Sequence, residues 1–110
     1  MIKVEQEKDI CIISFPGISR LNVNNIGEIK DPITAKITTG SKVILDFSGI
    51  NYIDSSGFGV LLSFLRTSKT IDSKLMLCCI MPEVMSLVRL LQLQTVFSIY
   101  PDRDTCIKNL

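Results

Sequence analysis

The 110 residues fit a single domain, long enough to bury roughly two thirds of the surface its unfolded chain would expose. Hydrophobic residues are 46% and aromatic ones 6%, which predicts a core of Ile, Leu and Val and excludes a disordered chain. Twelve Lys and Arg against eleven Asp and Glu leave a net charge of +1, too balanced for a protein that gains affinity by neutralising many phosphates, so no nucleic-acid partner is expected.

From the N-terminus, Ile2, Val4 and Gln6 alternate with Lys3 and Glu5, which predicts a strand with one half-buried face. Glu7-Lys8-Asp9 is a polar turn, and Ile10 to Phe15, apolar on both faces, closes a hairpin and ends at Pro16-Gly17. Over Asn22 to Thr38 the residues Val23, Ile26, Ile29, Ile33 and Ile37 recur at helical steps. Gly27 and Pro32 interrupt them, so a helix broken near Asp31-Pro32 is expected.

Val43-Ile44-Leu45-Asp46-Phe47 is a short apolar run suited to the centre of a parallel sheet. After Ile50 to Ile53 and Asp54-Ser55-Ser56-Gly57, the residues Phe58, Leu61, Leu62 and Leu65 take helical spacing to about Ser68. Leu75 to Ile80 is another buried strand. Pro82 opens a third helix with Val84, Leu87, Val88 and Leu91 as its stripe. Val96 to Tyr100 is a last strand, and Pro101-Asp102 opens a short terminal helix. The predicted fold class is therefore α/β, a four- to five-stranded, mostly parallel but mixed sheet with an N-terminal β-hairpin and about four helices.

The chain contains no histidine. That excludes a Ser-His-Asp triad, a histidine metal ligand and any side chain ordinarily titrating near neutrality. Ser55-Ser56-Gly57-Phe58-Gly59 lacks the leading glycine of a nucleophile elbow and the lysine of a phosphate-binding loop. Neither an enzyme nor a cofactor site is expected. Cys11, Cys78, Cys79 and Cys106 lack paired metal-ligand spacing and read as buried reduced thiols. The N-terminal residues lack the features of a signal peptide, and no apolar run reaches the ~18 residues of a membrane span. A cytoplasmic protein without direct membrane insertion is expected.

What remains is an acidic residue, two hydroxyls and a glycine at the start of a helix. Asp54 or Ser55 can cap that helix by accepting a bond from a free backbone amide. The same position suits a switch, since the helix N-terminus favours a phosphate on Ser55 while Asp54 beside it would repel the added charge.

Val43 to Phe47, followed by Ile53-Asp54-Ser55-Ser56-Gly57-Phe58-Gly59-Val60-Leu61-Leu62, resembles the signature of the STAS domain, in particular of bacterial anti-sigma factor antagonists. Leu75 to Val84 and Leu93 to Ile99 resemble the family's penultimate strand, helix and closing strand, so the likeness spans nearly the whole chain, 1–110, as one domain. It implies that Ser55, neighbour of Ser56, is phosphorylated by an anti-sigma factor that is itself a serine kinase. It further implies that the unmodified form binds this kinase, and that a metal-dependent serine phosphatase restores it. Asp54, Ser55, Ser56, Gly57 and Phe58 are then the partner-facing group. Many antagonists carry Gly-Glu-Leu-Asp after the second strand; here Gly17-Ile18-Ser19-Arg20-Leu21-Asn22 stands there, with Asn22 near the place of the acid and so added to that group. The alternative is a STAS interaction subunit of a larger signalling or lipid-transport assembly, in which Asp54-Ser55-Ser56 caps and docks without a phosphorylation cycle.

Overall fold

The alternation of short β-branched runs with helical stripes resolves into one mixed sheet, described over residues 2–110 in a computed structural model. Strands β1 (Lys3–Glu7) and β2 (Ile10–Ser14) form the antiparallel hairpin, turning at Lys8 with a left-handed φ of 56°. From β2 the chain passes through a two-residue strand β3 (Arg20–Leu21) and helix α1 (Ile26–Thr34) to β4 (Lys42–Asp46). Then follow β5 (Tyr52–Ile53), α2 (Ser55–Thr70), β6 (Lys74–Cys78), α3 (Pro82–Leu90), a 3-10 turn at Leu93–Thr95, β7 (Ser98–Tyr100) and α4 (Arg103–Lys108). The main sheet runs β1-β2-β4-β6-β7, parallel except for β1, with β4 at its centre as expected. β3 and β5 pair separately and in parallel.

Both faces of the sheet are covered, which is why the middles of β2, β4 and β6 are apolar on both faces. On one face Ile29 and Ile33 of α1, Phe58, Leu61 and Phe64 of α2, and Val84 and Val88 of α3 pack on Cys11, Ile13, Val43, Leu45, Leu75 and Leu77. Phe15 stacks on Phe47 at the strand ends, with ring centroids 5.5 Å apart. On the other face, Ile10, Ile12, Ile44, Met76 and Cys78 lie under α4 and its Cys106. Burial pushes the Cys106 thiol up to about 11. Cys11, Cys78 and Cys106 are buried free thiols, and Cys79 is half-buried.

Several local expectations are corrected. Val4 and Gln6 are exposed and Glu5 is the half-buried residue of β1 between them, because β1 is an edge strand and Arg103 of α4 reaches Glu5. Val23 lies outside any helix and is 69% exposed. The chain turns there because Asn25 Oδ1 accepts from the Asn22 amide at 3.0 Å and the Asn25 side-chain nitrogen donates to the Arg20 carbonyl at 2.7 Å, side-chain bonds that compete with helix formation. α1 passes through Pro32 without a break, since Pro32 and Glu28, whose helical bond it removes, both face solvent. Leu91 is the exposed C-terminal cap of α3 rather than part of its buried stripe.

Candidate functional site

The carboxyl ends of parallel strands are where α/β folds usually expose their working residues, and α2 begins there. Three segments converge at its N-terminus: the β2–β3 connection, the Asn22–Asn25 turn and β5. The Asn51 amide donates to the Ser19 carbonyl at 2.8 Å and the Asp54 amide to the Leu21 carbonyl at 3.0 Å, extending the β3–β5 pairing to the first residue before the helix. Asp54, extended at φ −87°, ψ −178°, is the N-cap of α2. Its Oδ1 accepts from the Gly57 amide at 2.9 Å and its Oδ2 from the Val23 amide at 3.2 Å.

This arrangement decides between the two candidate caps. Asp54 takes the bond, and Ser55 stands as the first helical residue with its side chain in solvent. The amides of Ser55 and Ser56 have no carbonyl within the helix to meet. Ser56 is half-buried. A phosphate on Ser55 would therefore sit at the positive end of a helix of 16 residues, directly after a carboxylate fixed by two backbone amides.

Gly57 and Phe58, expected among the partner-facing residues, are both buried. Phe58 turns into the core beside Phe47, Ile53 and Leu61. A Cβ at Gly57 would come 2.6 Å from Ile53 Cγ2 and 3.0 Å from the Leu21 carbonyl oxygen, so glycine permits the close approach of α2 to the β3–β5 pair. The two position the surface rather than form it. Asn22 is half-buried, and its Oδ1 accepts from the Asn24 amide at 3.0 Å. The hydrogen bond from the Val23 amide to Asp54 links its turn to the α2 cap.

Sequence reasoning missed the apolar neighbours of this surface. Val23 and Tyr52 are exposed, and the Arg20 guanidinium carbon lies 5.4 Å from the Tyr52 ring centroid, a cation–π distance that orders an otherwise solvated arginine. Val23 lies in a turn and Tyr52 in a two-residue strand, too short for either to leave a periodic signal. Among the described residues, no helix is long and apolar enough to cross a membrane.

Comparison with known proteins covers nearly the whole chain. The family profile described as STAS domain matches residues 1–106. The anti-sigma-factor antagonist (STAS) domain protein of Planctomyces limnophilus superposes with a TM-score of 0.88 at 21% identity, over 97% of this chain and 96% of that one. A putative anti-sigma factor antagonist of Thermotoga maritima gives 0.86 at 19% identity, over 98% and 92% of the two chains. The Bacillus cell fate determinant SpoIIAA in its phosphorylated form gives 0.70 at 18% identity, over 100% of both. These likenesses are of fold.

Proposed function

The chain belongs to the STAS domain family, and we propose that it acts within that family as an anti-sigma factor antagonist that switches partners according to the phosphorylation of Ser55. The reading rests on one observation above all: the cap of α2 is made by Asp54, so the Ser55 hydroxyl is left in solvent at the helix N-terminus. A serine that capped its own helix would have to give up that bond to be modified.

In the unmodified state Asp54, Ser55, Ser56 and the Asn22–Val23 turn offer a surface with a fixed backbone to an anti-sigma factor that is also a serine kinase. Phosphoryl transfer from the kinase's nucleoside triphosphate forms the Ser55 Oγ–P bond as the bond from the terminal phosphorus to the bridging oxygen breaks, the nucleoside diphosphate leaves, and the hydroxyl proton passes to a base on the kinase. The product carries about −1.5 to −2 further charge at neutral pH. Beside Asp54 this charge opposes the contact that a neutral hydroxyl allowed, and the kinase is released. A metal-dependent serine phosphatase reverses the step. The chain supplies the substrate hydroxyl and the docking surface, in the cytoplasm, while its partners supply the catalysis. The phosphorylated form described for SpoIIAA supports the possibility of such a modification on this fold.

The test is binding of the purified chain to its cognate kinase-type anti-sigma factor. Ser55→Ala should bind and resist phosphorylation, and Ser55→Asp should bind far more weakly. Equal binding by both variants, with no phosphate incorporated into the parent chain, would instead identify a static interaction subunit.

A further inference from the structure

Beneath α4, at the carboxyl ends of β4 and β6, three thiols and a carboxylate gather away from the Ser55 surface. Asp46 and Cys78 are register partners in the parallel pair, so their side chains leave the sheet on the same face. An extended Cys79 would send its thiol to the opposite face. Instead its backbone adopts a left-handed φ of 60°, a strained choice for a residue with a Cβ. The kink returns the thiol to its neighbour, and the Cys79 Sγ donates to the Cys78 Sγ at 3.4 Å. Both sulfurs and an Asp46 oxygen lie within 4.8 Å of one another. Cys106 of α4 is packed into the same cluster.

We propose that Cys78, Cys79 and Asp46 form a binding site for a thiophilic d10 cation, zinc(II). Thiolates with a carboxylate oxygen are a zinc donor set, and sulfurs 3.4 Å apart need open only to about 3.8 Å to span a tetrahedral ion at Zn–S ~2.3 Å. Asp46 retains the capacity to join it. Its Oδ1 accepts from the Ser48 amide and hydroxyl, at 2.8 and 2.6 Å, but its Oδ2 accepts only from Arg103 Nε, at 2.6 Å, which leaves that oxygen a lone pair. Arg103 then holds the ligating carboxylate from behind and offsets the surplus negative charge of the ligands. The ion enters past Cys79, the half-buried member, and displaces the thiol protons as it binds.

The experiment titrates the full chain, reduced and metal-free, with zinc(II) against a chromophoric chelator and, separately, with cobalt(II). One ion per chain should bind, cobalt should give a thiolate charge-transfer band, and zinc should abolish that band. Cys79→Gly removes the thiol while suiting the left-handed backbone, so it should fold as judged by circular dichroism; its zinc affinity should fall about 100-fold or more. Absence of the charge-transfer band in the parent chain, or equal zinc affinity in Cys79→Gly, overturns the assignment.

Discussion

Val23 and Asp54 are joined across 31 positions of sequence by a hydrogen bond from the Val23 amide to Asp54 Oδ2 at 3.2 Å. The other carboxylate oxygen caps α2 through Gly57. One side chain thus fixes both the helix start that presents Ser55 and the turn that presents Val23.

Asp54→Ala removes both bonds. Loss of an N-cap aspartate costs about 1 kcal/mol, and the exposed link to Val23 adds a fraction of this. Urea unfolding should show a lower midpoint at an unchanged slope. Asp54→Asn keeps an acceptor for Gly57 and should fall within a few tenths of a kcal/mol of the parent chain.

The two glycines of α2 should respond in opposite directions to alanine. At Gly57 the new methyl meets Ile53 and the Leu21 carbonyl, and forcing a methyl into such a contact costs about 1–3 kcal/mol. At Gly59 nothing lies within 4 Å, and replacing a helical glycine gains roughly 0.5–1 kcal/mol. Thermal melts of the two variants check the contrast. Gly57→Ala should in addition weaken partner binding, because it pushes the start of α2 away from β5.

Arg103 and Asp46 set an acid limit on stability. Asp46 is 4% exposed. Burial pushes its carboxyl up, but the bonds from Ser48 and the Arg103 guanidinium outweigh it and hold the group below its ordinary value of 3.8. A carboxyl depressed in the folded state contributes stability that is complete above its unfolded value and is lost as the pH falls through the folded one. Denaturation midpoints measured downward from pH 6 should therefore be flat to about pH 5 and fall below about pH 4. Arg103→Ala leaves the buried carboxylate with Ser48 alone, and should cost about 1–3 kcal/mol at pH 7 while reducing the acid-dependent loss.

Periodicity made the main sheet and the first three helices legible, because both depend on the local spacing of apolar residues, and Pro101-Asp102 marked the start of the fourth. Asp54-Ser55-Ser56-Gly57 could be placed at a helix start for the same reason. Which residue takes the cap could not, since Asp54 and Ser55 are equivalent acceptors in sequence and the Leu21 carbonyl that fixes the Asp54 backbone comes from 33 positions earlier. The β3–β5 pair is only two residues deep and too short to leave a pattern. Phe58 belongs to the helical stripe as much as to the motif, and the stripe wins because burying an aromatic ring outweighs any exposed role. The Asp46–Arg103 pair, 57 positions apart, depends on α4 crossing the sheet, which no local signal reports.

The most direct measurement is intact-protein mass spectrometry of the chain purified from its native cells across growth conditions, with fragmentation to localise added phosphate. A phosphate on Ser55 whose occupancy changes with condition is the predicted result. A chain that stays unmodified in every condition, or carries its phosphate elsewhere, would contradict the switch.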